Sequence, residues 1–141
     1  MTAVVVLLAT AVLVVLAGLA LRHQRAGRVR VHGASAQPLP AAVLAELPDL
    51  AAGGVTLLQL STAFCAPCRQ ARVLLADLAQ RTPGVRHVEL DVTERPELSV
   101  PLRVRSTPTT LAVDAGGREL LRLVGVPKRD ALLAALRPHL P

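Results

Sequence analysis

The only two thiols in the chain sit three residues apart, as Cys65-Ala66-Pro67-Cys68. The apolar run Val55-Thr56-Leu57-Leu58-Gln59-Leu60 comes just before them, and a stretch of helical character, 69–78, directly after. A C-x-x-C pair at a strand-to-helix junction has the form that dithiol redox chemistry requires. The three-residue offset puts both sulfurs on one face of a first helical turn, close enough to form a small disulfide ring. Unpaired N–H groups and a partial positive charge at a helix N-terminus favour a thiolate there. Half a zinc site is a rival for such a pair. However, there is no second cysteine pair, and His23, His32, His87 and His139 show no ligand spacing. His87, on a predicted strand, and His139, near a helix end, read as ordinary polar positions.

The surrounding elements follow from periodicity and punctuation. Residues 55–61 predict a buried parallel strand, apolar on both faces. Residues 66–81 predict a helix with Val73, Leu74 and Leu78 on one side and Arg69, Arg72 and Gln80 on the other, stopped by Thr82-Pro83-Gly84. A second strand is expected at 85–92, where His87, Glu89 and Asp91 alternate with Val88, Leu90 and Val92, and a short irregular helix at 94–100. Asp114-Ala115-Gly116-Gly117 between 109–113 and 119–124 is a hairpin signal. A last helix at 127–140 opens on a proline and carries Leu132, Leu133, Leu136 and Leu140. Upstream, 40–47 reads as a short helix, and Gly53-Gly54 ends that region. Residues 28–32 alternate with period two, which fits a first edge strand or a solvated basic tether. The order β-α-β-α-β-β-α implies an α/β domain with a mixed four- or five-stranded sheet and helices on both faces.

Ahead of this domain, residues 3–21 contain no charge, and as a helix they extend about 28 Å, enough to cross a bilayer core. Gly18-Leu19-Ala20 is compatible with signal-peptide cleavage, but no Lys or Arg precedes the run and the run is long for a signal core. The expected division is therefore a transmembrane anchor at 1–22, a basic juxtamembrane linker at 23–40 and a domain at 41–141. Of the net charge of +6, the arginines 22, 25, 28 and 30 supply four, so the domain is nearly balanced. With one Phe and no Tyr or Trp there is almost nothing to stack on bases, which excludes nucleic-acid binding. All four arginines flank the C-terminal side of the apolar run. By the positive-inside rule this puts the domain in the cytoplasm at the cell membrane, with an extracytoplasmic domain as the alternative.

Taken together, residues 55–140 resemble thioredoxin. The landmarks are Phe64-Cys65-Ala66-Pro67-Cys68-Arg69 after the apolar strand, Glu89-Leu90-Asp91 ending the second strand, Ser106-Thr107-Pro108-Thr109, and Gly125 before the last helix. The resemblance implies a thioredoxin fold and a thiol–disulfide oxidoreductase with no cofactor beyond a redox-active Cys65–Cys68 disulfide. Cys65 would attack a client disulfide as thiolate, and Cys68 would resolve the mixed disulfide. Pro67 would stiffen the turn. Pro108, as the family's cis-proline, would face the sulfurs, and the Thr107 backbone would pair with an extended client segment. Phe64 stands where the family usually has Trp.

Two departures accompany the resemblance. Gln59 occupies the position of the family's buried Asp, and Glu89 aligns with the Lys that partners it. Glu89 thereby becomes the candidate proton acceptor, contributed from the neighbouring strand. The implied partners are client proteins with disulfides or thiols, an electron donor such as a thioredoxin reductase, and the membrane through 3–21. A non-catalytic redox sensor or adaptor, and a copper-handling protein of the same fold, are the alternatives; they predict redox-dependent association and tight Cu(I) binding respectively.

Overall fold

The computed structural model describes residues 2–25, 28–31, 38–48 and 50–140. Helix α1, Thr2–Arg25, contains a segment, Thr2–Leu21, long and apolar enough to cross a membrane; a signal sequence meets the same test. The Thr10 hydroxyl, in the middle of this run, donates back to the carbonyls of Val6 and Leu7 at 3.0 and 2.9 Å. It is thus satisfied within the helix.

Five strands form one sheet in the order β1-β5-β4-β2-β3. They are β1 Arg28–Val31, β2 Val55–Ser61, β3 Val85–Asp91, β4 Thr109–Val113 and β5 Glu119–Val124. Only β2 and β3 run parallel, joined by the crossover helix α3, Ala66–Arg81; the other pairs are antiparallel. Strand β1 lies inside the stretch expected to be linker. Its backbone pairs along β5 from Arg28 opposite Val124 to Val31 opposite Leu121, so this part of 23–40 belongs to the sheet. Pro38 adds a bridge to Arg118, and Leu39 is buried. The remainder of the expected linker, 26–27 and 32–37, lies outside the described residues.

Every residue of β2 is buried, as a central strand covered on both faces must be. On one face Val55 and Leu57 meet Ala71, Leu75 and Leu78 of α3 and Leu132 and Leu136 of α5, Arg129–Leu136. On the other, Leu58 and Leu60 meet Val43 of α2, Ala41–Leu44, and Leu98 of α4, Pro96–Ser99. The buried α3 stripe is Cys68, Ala71, Leu75 and Leu78, so of the expected side of Val73, Leu74 and Leu78 it keeps Leu78 fully and Leu74 half-buried at its edge. Val73 is 71% exposed. At about 100° per residue it lies two positions from both Ala71 and Leu75, and so points away from the sheet.

Tight turns fix the ends of the site-bearing strands. Gly54 enters β2 with φ +81°, and a Cβ there would collide with the Gly84 carbonyl, which accepts from the Val55 N–H at 2.7 Å. In the hairpin, Asp114 Oδ1 accepts from the N–H groups of Gly116 and Arg118 at 2.8 and 2.9 Å, and Gly117 takes φ +76°.

Candidate functional site

Strand β2 ends at Ser61, and its antiparallel neighbour β4 begins at Thr109, with Leu60 opposite Thr109. The segments just beyond these two ends therefore emerge at the same end of the sheet. One carries Cys65 and Cys68, the other Thr107 and Pro108. The two are tied by a hydroxyl pair, Thr62 Oγ1 to Thr107 Oγ1, at 3.2 Å. The Thr107–Pro108 peptide bond is cis. Pro108 is buried, and its carbonyl accepts from the Gly125 N–H at 2.8 Å.

Cys65 is the N-cap of α3 and Pro67 stands in its first turn, where a missing N–H costs nothing. The two cysteines form a disulfide with a Cα–Cα distance of 5.2 Å. The Cys68 N–H is shared between the Cys65 carbonyl and Cys65 Sγ, each at 3.1 Å, so one donor of the helix start reaches the first sulfur. No acidic residue lies in the first turn of α3 to oppose a thiolate. The sulfurs differ in access: Cys68 is 1% exposed and Cys65 is half-buried. Phe64, next to Cys65, is fully exposed and forms a free apolar edge.

Beneath the second cysteine lies Gln59, fully buried. Its Nε2 donates to the Cys68 carbonyl at 2.9 Å. Its Oε1 faces His87 Nε2 at 3.0 Å. Glu89, directly opposite Gln59 in the parallel β2–β3 register, approaches Gln59 Nε2 at 3.5 Å. Arg72 of α3 holds both oxygens of Glu89, Nη2 donating to Oε1 at 2.8 Å and Nε pairing with Oε2. Glu89 thus reaches the neighbourhood of the dithiol as an ion-paired group. Burial pushes His87 below its ordinary pKa; the Glu89 charge opposes this and Arg72 reinforces it. Thr110 of β4, opposite Gln59 on its other side, is fully buried, and its hydroxyl has no partner among the described residues.

Of the residues singled out in the sequence, Cys65, Cys68, Pro67 and Phe64 share the α3 start, Thr107 and Pro108 adjoin them through Thr62, and Glu89 joins through Gln59. The sequence takes His87 for an ordinary polar position and Arg72 for the polar side of the helix, and it does not single out Thr62 or Thr110. The fixed signal was their spacing from Gln59 and Glu89, but it has meaning only once the strand register is known. Among the described residues no three His, Cys, Asp or Glu side chains converge as metal ligands.

A family model for thioredoxin matches residues 49–138. Thioredoxin H5 of Oryza sativa subsp. japonica is 38% identical over 73 residues, 52% of this chain and 53% of that protein, so the match spans about half of that relative. The thioredoxin of Chlamydia trachomatis is 30% identical over 91 residues, 64% of this chain and 88% of that protein. The structure of Fasciola hepatica thioredoxin superposes with a TM-score of 0.59 at 25% identity, covering 70% of this chain and 93% of that one. With a disulfide-forming C-x-x-C at the head of α3 and this matching fold, the chain belongs to the thioredoxin family of thiol–disulfide oxidoreductases.

Proposed function

We propose that the protein is a membrane-tethered thiol–disulfide oxidoreductase that reduces or exchanges disulfides in client proteins. The observation that carries this reading is the unequal access of the two sulfurs at the start of α3. The half-buried Cys65, receiving the Cys68 N–H, is the nucleophile. Its thiolate attacks a client disulfide, forming Cys65–client and releasing one client thiolate. Cys68 then loses its proton to water and attacks Cys65 Sγ. The Cys65–Cys68 bond forms, the second client thiolate leaves, and the client gains two electrons. A donor of the thioredoxin-reductase class restores the dithiol by the reverse exchange.

Phe64 supplies an apolar rim for the client, Pro67 stiffens the turn, and Thr107 beside Pro108 offers backbone to an extended client segment. Glu89 is the competing proton acceptor to water. Since Arg72 grips both its oxygens, taking the proton would require that ion pair to open.

The tether is Thr2–Leu21, whose length and composition suit a bilayer span. The arginines at 22, 25, 28 and 30 favour a cytoplasmic domain, where a dithiol works as a reductant. The test is alkylation of Cys65 and Cys68 in intact cells with a charged, membrane-impermeant reagent, followed by lysis and a second, permeant label. Protection from the first reagent, with free thiols revealed by the second, supports a cytoplasmic reductase. Labelling by the impermeant reagent, or a disulfide resistant to both, moves the domain outside or reverses the direction of exchange.

A further inference from the structure

We propose that His87 is a positioning residue for the dithiol, acting through Gln59 to hold the Cys68 end of the active-site turn and to couple the resolution step to the charge of its own ring. This rests on the reading of Cys68 as the resolving thiol. The hydrogen-bond pattern fixes every orientation in the chain of contacts. A carbonyl only accepts, so the donor 2.9 Å from the Cys68 oxygen must be the amide nitrogen of Gln59, and the amide oxygen must face the other way. His87 Nε2 lies 3.0 Å from that oxygen, which also only accepts, so Nε2 carries a hydrogen. The neutral ring is therefore held in one tautomer, and Nδ1 is the atom that titrates.

Protonating Nδ1 leaves the Nε2–H bond to Gln59 in place and adds a positive charge two hydrogen bonds from Cys68. The groups facing His87 are few. From β2 they are neutral Leu57 and Gln59; from its own strand Glu89 and, further along the same face, Asp91; from α3 Arg72. Glu89 and Arg72 pair with each other, which leaves burial as the largest influence on the ring. Burial holds it below its ordinary value, so the ring is neutral at pH 7 and takes its charge only on acidification. The imidazolium favours the Cys68 thiolate over the thiol. As pH falls through the His87 pKa, the resolving thiolate is therefore lost less steeply than tenfold per pH unit.

The experiment is stopped-flow mixing of the reduced full-length chain with one equivalent of a symmetric chromogenic aryl disulfide. The first aryl thiolate released reports attack, and the second reports resolution by the other cysteine. His87→Gln keeps a neutral N–H donor without a titrating atom. It is expected to resolve within about twofold of the native rate at pH 7, with an acid limb of unit slope where the native limb is shallower. His87→Leu removes the donor and is expected to slow resolution about fivefold to tenfold, the worth of one hydrogen bond. A native acid limb in His87→Gln overturns the proposal, as does a native rate and profile in His87→Leu. Cysteine-to-serine variants locate the mixed disulfide. If it forms on Cys68, the assignment of roles falls and the proposal with it; if it forms on Cys65, the His87 result stands on its own.

Discussion

The two faces of the sheet use the same central strand differently. On the face covered by α2 and α4, β2 contributes Leu58 and Leu60, which pack with Leu111, Val113, Val43, Leu98 and Leu102. On the face covered by α3 and α5, β2 is apolar only at its start, with Val55 and Leu57. Toward the cysteines it turns polar, and a row of Thr110, Gln59 and Glu89 crosses β4, β2 and β3 with His87 beside it. Alternation along a strand allows this division, because neighbouring residues answer to different layers. One face can be mainly apolar, with Thr56 and Thr109 as its buried polar residues, while the other gathers a buried polar row in which Gln59 is bonded on both sides and the Thr110 hydroxyl is left without a described partner. The difference teaches that the fold confines its chemistry to one end of one face, where β2 stops and α3 begins.

Four experiments would break or sharpen that contrast. The largest effect belongs to the site itself: Cys65→Ala is expected to reduce disulfide-reductase activity to background with the fold retained, measured as turnover of a protein disulfide alongside circular dichroism. Next is the structural face. Leu58 is fully buried there, and Leu58→Ala is expected to cost about 3 kcal/mol in denaturant unfolding. Activity well below the unfolding midpoint should stay within about twofold of native. A large loss of activity in the folded variant would show that the two faces are not separable.

A smaller effect, of opposite sign, is expected at Thr110. Its hydroxyl is buried without a described partner, so Thr110→Val should gain about 1 kcal/mol by removing an unmet polar group from the reactive face. Loss of stability instead would mean that the hydroxyl is satisfied in solution.

The smallest effect lies on the outer surface of that face, where Asp77 of α3 pairs with Arg81 and with Arg129 of α5. Hydrogen bonds from Arg81 and Arg129 hold its carboxyl below the ordinary value of 3.8. A carboxyl depressed in the folded state adds stability above its unfolded pKa and loses it as pH falls through the folded one. Asp77→Asn should therefore lower stability slightly at neutral pH and flatten the fall on acidification below about pH 4. Thermal midpoints across pH check this, and an unchanged acid limb would leave the α3–α5 ion pair without a stabilising role.

Much of this architecture is local, and so was readable along the chain. The apolar run at 55–61, the helix at 66–81 closed by Thr82-Pro83-Gly84, and the Asp114-Ala115-Gly116-Gly117 hairpin appear where their periodicity and turn residues place them. The features that differed depend on which neighbour an element meets. The alternating stretch at 28–31 fits a tether as well as a strand, and backbone pairing with β5 decides the matter. Val73 fits a hydrophobic helix face, but the phase of α3 against the sheet is set by Cys68, Ala71, Leu75 and Leu78, leaving Val73 in solvent.

By itself, the sequence determined the dithiol, its place at a strand-to-helix junction, the apolar N-terminal run and the hairpin, because each arises from residues adjacent in the chain or one helical turn apart. Only the tertiary structure decided what surrounds the second cysteine. The contacts of Gln59 with Cys68, His87 and Glu89 span nine, 28 and 30 residues. They exist because the parallel register sets Gln59 opposite Glu89, and α3 lies across that face with Arg72 over the pair. Such contacts are fixed by strand register and helix phase, quantities that no single segment encodes.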